Sequence, residues 1–120
     1  MDTKKGYRAH ARFLLISPKK LRRIADNLRR KKYVDAVAIL ENLPHKGAVF
    51  LKKVIKSAAS NALVSNKMLD EEMLYIRELQ VNEGPRMKRL WARARGRRDI
   101  QLKRMSHISV EIDELAGMEE

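Results

Sequence analysis

The chain has 120 residues, with 27 lysines and arginines against 15 aspartates and glutamates, a formal net charge of +12 and no cysteine. That length suits one domain with a modest core, and the missing cysteine excludes disulfides and thiolate metal sites. Charge so far from neutral opposes compaction and favours a partner of the opposite sign.

The charge is unevenly placed. Met1 to Lys32 holds twelve basic and two acidic residues, Tyr33 to Met73 five of each, Leu74 to Val110 ten and three, and Glu111 to Glu120 none and five. A neutral middle between two cationic regions reads as a folded body that grips an anionic partner at two places. No apolar stretch resembles a secretory signal or approaches the roughly 20 residues of a membrane span. A basic membrane-surface helix would confine its charge to one helix face, whereas here it runs along the chain, so no membrane partner is expected. Composition therefore favours a soluble, intracellular nucleic-acid binder. With only one Trp, three Tyr and two Phe, a single-strand binder built on stacking platforms is disfavoured.

Tyr7 to Ile16 carries Phe13, Leu14, Leu15 and Ile16 and reads as a strand or extended arm. Ser17 and Pro18 then mark a helix start, the hydroxyl accepting an orphan N–H and the proline suiting the first helical position. Leu21, Ile24, Ala25 and Leu28 recur at the spacing of one helix face. Lys19, Lys20, Arg22, Arg23, Arg29 and Arg30 occupy the other faces. A second helix is predicted over about 34–42, with Ala36, Val37 and Leu40 available to the core. Pro44 separates it from a third, over about 46–65, whose buried stripe is Leu51, Ile55, Ala58 and Ala62, widened by Val54 and Leu63. Its Ser57-Ala58-Ala59-Ser60 run would let another element approach closely.

After Asn66 the period changes. Leu74 and Ile76 give way to Leu79 and Val81, a phase slip that predicts a bulge in a strand. On the return Ile100, Leu102, Ile108, Val110 and Ile112 all fall on even positions, the mark of a half-buried strand. The two arms predict a β-hairpin with its turn around 92–96. Each arm of about 14 residues would reach roughly 45 Å, against a domain diameter of roughly 35 Å, so the distal part should project. The expected fold is α+β: a compact body of three helices packed on a small antiparallel sheet, with a long projecting β-hairpin. Body about 7–83 and 106–113, hairpin about 84–105 and an acidic tail 114–120 make one domain.

The hairpin concentrates the chemistry. Between Gly84 and Met105 stand Arg86, Lys88, Arg89, Arg93, Arg95, Arg97, Arg98, Lys103 and Arg104 against one acid, Asp99, with Leu90, Trp91, Ile100 and Leu102 threaded among them. Unpaired charges are too costly to bury, so this segment suits a surface pressed against a polyanion. A solvated charged face is the bland alternative, more serious for the first helix than for the hairpin. Trp91 suits a contact to RNA or a neighbouring side chain. His107 suits a hydrogen bond to backbone or RNA over a metal, because no second ligand sits at ligand spacing. No glycine-rich phosphate loop, cysteine nucleophile, oriented histidine or metal-ligand cluster supports catalysis or a cofactor.

Several motifs together carry a resemblance. Asn82-Glu83-Gly84-Pro85, Met87-Lys88-Arg89, Arg93-Ala94-Arg95-Gly96-Arg97, and Lys103-Arg104 with Ser106-His107-Ile108 resemble the universal large-subunit ribosomal protein twenty-two family, bacterial type. Ser17-Pro18-Lys19 and Ser57-Ala58 with Asn61-Ala62 fit it too, so the likeness covers about 7–112 in order and spacing. It implies a structural, non-enzymatic constituent of the large ribosomal subunit in the cytoplasm. Such a protein binds several domains of ribosomal RNA, touches neighbouring ribosomal proteins, supports assembly and forms no homo-oligomer.

The resemblance also implies that the hairpin lines the peptide exit tunnel, with the nascent peptide passing near its tip. Carried over by motif, the tip is Met87, Lys88, Arg89, Leu90, Trp91, Ala92, Arg93, Ala94, Arg95, Gly96 and Arg97. The RNA contacts would be Arg12, Lys19, Lys20, Arg22, Arg23, Arg29, Arg30 and the basic hairpin residues, with His107. One departure is Ala92, where the family usually has proline, next to the bulky Trp91. A DNA-binding β-ribbon is the rival reading, but it needs a dimer or site-spacing device and no heptad or self-complementary apolar face is visible. A tunnel-sensing role for Lys88, Arg89 and their neighbours would coexist with the structural one.

Overall fold

The apolar residues on even positions near the C-terminus build the central strand of a three-stranded antiparallel sheet. The computed structural model describes residues 6–92 and 98–115, and the side chains of 6–86 and 103–115. Strands β1 (Tyr7–Leu14), β2 (Leu74–Ala92) and β3 (Arg98–Glu114) lie in the order β1-β3-β2. Helices α1 (Pro18–Ala25), α2 (Tyr33–Glu41) and α3 (Lys46–Ser65) complete an α+β fold, with a 3-10 turn, Glu71–Met73, leading into β2.

Alternation along β3 decides what is buried. Ile108 lies between Ala11 and Val81, Val110 between Ala9 and Leu79, and Ile112 between Tyr7 and Ile76. All three are buried, and Leu51, Ile55, Ala58 and Ala62 of α3 are wholly buried with them. α3 packs on β1 and β3 and carries α1 and α2 beside it, so the small Ala58 and Ala59 sit inside the core as their size allows. The bounds of α3 match the apolar stripe in the sequence, and α2 begins one residue early because Tyr33 is itself buried. The phase slip in β2 is a real bulge. Ile76 pairs with Ile112 and Glu78 with the next residue back, Glu111, leaving Arg77 as the extra residue.

Two expectations for the first helix are corrected. Ser17 is the N-cap and Pro18 follows it, but the hydroxyl makes no capping bond. The Ser17 carbonyl instead accepts from the N–H groups of Lys20 at 3.1 Å and Leu21 at 3.4 Å. The helix also stops at Ala25, so Arg29 and Arg30 lie on turns beyond it and not on its faces. The N–H groups of Asn27 and Leu28 reach back only to Ile24 and Ala25, tightening the chain into 3-10-like turns. Arg30 then takes φ 68°. Its N–H donates to the Ile76 carbonyl at 3.0 Å, and the Ile76 N–H donates to Lys31 at 2.9 Å. The open edge of β2, beside the bulge, thus captures the segment. Leu28 is still wholly buried, which is why the apolar spacing ran past the helix end.

The sheet is three-stranded only in part. Pairing of β1 with β3 ends at Leu14↔Ser106, whereas β2 and β3 continue from Arg86↔Arg104 to Ala92↔Arg98. The ladder is interrupted between Glu83 and Arg86, at Gly84-Pro85. β2 runs 19 residues and β3 17, which confirms long hairpin arms. The expected turn falls partly on 93–97, outside the described residues, as do 116–120 of the acidic segment. Glu114 belongs to β3, opposite Leu74.

Ser106 marks the change from three strands to two. It is wholly buried, and its hydroxyl donates to the Ile16 carbonyl at 2.6 Å. Ser106→Ala leaves that carbonyl without its donor and should cost about 1–3 kcal/mol. A lowered urea midpoint is expected; an unchanged midpoint would show that the bond contributes nothing net.

Candidate nucleic-acid interface

The root of the ribbon is locked by an aromatic contact. β1 loses register between Ala11 and Leu14, and Phe13 takes φ 59°. Its N–H donates to His107 Nδ1 at 3.0 Å, and the two rings meet edge to face at 5.0 Å and 84°. Gly84 makes room for that imidazole: a Cβ there would stand 3.1 Å from Cε1 and 3.2 Å from Nε2. His107 therefore bonds backbone, one of the two roles open to it. With Nδ1 an acceptor, the neutral ring carries its proton on Nε2, which remains able to donate.

Arg86, Lys103 and Arg104 are exposed just beyond this lock. Arg86 lies directly opposite Arg104 across the ladder, and like charges so placed destabilise a strand pair. Among the described residues Glu83 reaches Arg86 only at 3.9 Å, with both side chains about half exposed, a pairing of little worth. Lys103 and Arg104 have no ion pair among the described residues. The ladder continues outward through Lys88↔Leu102, Arg89↔Gln101 and Trp91↔Asp99. The side chains of 87–102 lie outside the described residues, so the tip residues Met87 to Arg97 and Arg98 are placed by strand register where they are placed at all.

The cations of the first third divide into two groups. Lys19, Lys20 and Arg23 are exposed on α1, and Arg12 is exposed on β1. Arg22 and Arg29 instead serve the fold. Arg22 donates through Nε at 3.2 Å and Nη2 at 3.0 Å to the Val81 carbonyl. Arg29 donates through Nε at 2.9 Å to the Leu79 carbonyl and pairs with Asp26 through Nη1. Those carbonyls face the open edge of β2, so the two arginines satisfy an edge that would otherwise be unpaired. Arg30 lays its guanidinium 5.5 Å over the Tyr75 ring. Each guanidinium has five N–H donors, so these positions retain donors for a further acceptor.

The outer face of the sheet has a different character. Glu111 and Asp113 are buried there, and the bulged Arg77 bridges them, its Nη1 3.4 Å from Glu111 and 3.3 Å from Asp113. Arg8 Nε donates to Glu111 at 3.2 Å, and so does the Gly6 N–H. Arg8 and Arg77 are therefore matched internally. The groove between α2 and α3, about 470 Å³, includes Glu41 and Glu71 beside Tyr33. Burial raises the Tyr33 phenol above its ordinary value, and the two carboxylates add to the shift.

Sequence reading missed one association. Lys20, Arg23 and Arg104, from α1 and β3, meet His45 and Lys46 at the start of α3 around a single cleft. Lys46 stood in the charge-neutral middle of the chain, and only its fold neighbours give it a cationic setting.

Known proteins resemble this chain throughout. The family model described as ribosomal protein L22p/L17e matches residues 9–113. The large ribosomal subunit protein uL22 of Treponema denticola is 55% identical over 117 residues, which span 98% of this chain and 99% of that protein. The protein of the same name from Treponema pallidum is 54% identical over 114 residues, 95% of this chain and 92% of that one. That of Borreliella afzelii is 51% identical over 114 residues, 95% of each.

Proposed function

The chain belongs to the ribosomal protein L22p/L17e family, and from that membership we propose that it is a structural, non-catalytic constituent of the large subunit of the cytoplasmic ribosome. It binds ribosomal RNA, touches neighbouring ribosomal proteins, supports subunit assembly, and extends the β2–β3 ribbon along the nascent-peptide exit tunnel. The body is assigned to about 7–83 and 106–113, and the RNA-facing hairpin to about 84–105.

The observation that carries this reading is the pair Arg86 and Arg104, held directly opposite each other on a two-stranded stretch with Lys103 beside them. A free protein gains nothing from that arrangement, whereas a phosphate between the two guanidiniums turns repulsion into two charge-assisted hydrogen bonds. Neutralised phosphates release their counterions, which drives association. Specificity follows RNA shape, because the deep A-form major groove hides base edges from side chains. Lys19, Lys20, Arg23 and Arg12 extend the contact over the body. Residues 87–97 form the tunnel-lining tip, by motif.

Sedimentation tests the reading. The chain should co-sediment with isolated large subunits at about 0.1 M salt, where contacts to phosphate remain strong. Release into the supernatant, with the subunit otherwise intact, would contradict it.

A further inference from the structure

A cleft of about 810 Å³ opens between α1 and the start of α3, within the roughly 300–1,000 Å³ typical of small-molecule sites. Its rim carries Lys20, Arg23, Lys46 and Arg104, and no acid lines it. None of the four cations has an ion pair among the described residues. Leu15, half exposed, and Leu43 give it an apolar side, and Ser17, Asn27 and His45 add polar groups.

Lys46 has an internal contact, its Nζ 5.9 Å above the Phe50 ring, but two features set the rim as a whole apart from the pairing that serves the fold. α1 and α3 both begin at this cleft, neither has an acid in its first turn, and neither N-cap side chain makes a capping bond. Both instead place lysines at the positive helix end, Lys19 and Lys20 on α1 and Lys46 on α3, against the dipole preference. Gly47 then brings the helices together: a Cβ there would lie 3.1 Å from Ile24 Cδ1 and from Leu21 Cδ2. That approach sets Lys46 on the same cleft as Lys20 and Arg23.

We infer that this cleft holds a single unstacked nucleotide of the bound RNA, its phosphates on Lys20, Arg23, Lys46 and Arg104 and its base against Leu15 and Leu43. The inference rests on the RNA-binding reading and names a site within it. Phosphates alone would leave Leu15 in water, and a continuous duplex has no base free to enter, whereas a bulged nucleotide supplies both an anion and an apolar face. The rim joins α1, α3 and β3, so one nucleotide would tie the body to the base of the ribbon.

The test uses the full chain and purified large-subunit ribosomal RNA at 0.1 M salt. Lys20→Gln with Lys46→Gln removes two phosphate contacts from exposed side chains and should weaken binding roughly 25- to 60-fold, with no fall in melting temperature. A photo-crosslinking amino acid in place of Leu15 should capture one nucleotide, at an unpaired position, in assembled large subunits. Unchanged affinity of the double variant, with wild-type binding still steeply salt-dependent, overturns the cleft while the RNA-binding reading stands. Crosslinks spread along paired RNA, or to protein alone, also overturn it. Wild-type binding without salt dependence overturns both.

Discussion

Exchanging Arg86, Lys103 and Arg104 together for glutamine will weaken binding to large-subunit ribosomal RNA by about 100- to 500-fold at 0.1 M salt, without destabilising the free protein. The magnitude follows from counterion release: each lost phosphate contact removes about 0.7–0.9 from the salt slope, hence roughly five- to eightfold at this salt concentration. The unchanged stability follows from strand register. Arg86 faces Arg104 directly, so the free ladder loses a repulsion worth roughly a few tenths of a kcal/mol, and Glu83 loses only a weak partner. Affinity and stability thus move in different directions, a separation that a core substitution cannot produce. Arg104 also lines the α1–α3 cleft, so the Arg86→Gln, Lys103→Gln pair serves as control, with an expected loss of about 25- to 60-fold. Wild-type affinity in the triple variant would mean that the ribbon root does not touch phosphate.

Ile108→Ala will lower the unfolding free energy by about 2–5 kcal/mol, a large share of the roughly 5–15 kcal/mol available to such a domain. Ile108 is wholly buried on the central strand, between Ala11 of β1 and Val81 of β2. It therefore joins all three strands next to Ser106, where the sheet narrows. Ile108→Val keeps most of the volume and should cost about 0.5–1.5 kcal/mol. Urea midpoints at constant slope measure both. A loss under 1 kcal/mol for the alanine variant would contradict the packing described. Bound RNA should recover part of the loss, since a ligand of the native state stabilises it by mass action.

Much of this fold was legible in the chain because apolar spacing reports burial directly. The stripe Leu51, Ile55, Ala58, Ala62 marked α3, and the change from even to odd positions between Ile76 and Leu79 announced a bulge, which the strand register places at Arg77. What stayed hidden depends on partners distant in sequence. No local pattern tells that β1 pairs with β3, or that the open edge of β2 needs the Val81 and Leu79 carbonyls satisfied. Arg22 and Arg29 therefore looked like free cations, although their guanidiniums hold α1 and its following turns to that edge. Leu28 extended the helical spacing beyond the true helix end because a buried turn residue and a buried helix residue look alike in sequence. Lys46 escaped notice for the same reason in reverse: its neighbours Lys20 and Arg104 come from other elements. Glu111 and Asp113 lie in the acidic end of the sequence, and no local pattern tells that Arg77 bridges the two and Arg8 pairs with Glu111 on the sheet's outer face.

If the basic ribbon and the α1 surface together contact about ten phosphates, the salt dependence of RNA binding measures that number directly. For the full chain on purified large-subunit ribosomal RNA, log K against log salt should fall with a slope of about −7 to −9, several powers of ten in affinity between 50 and 200 mM. A slope near zero would contradict RNA binding through these cations.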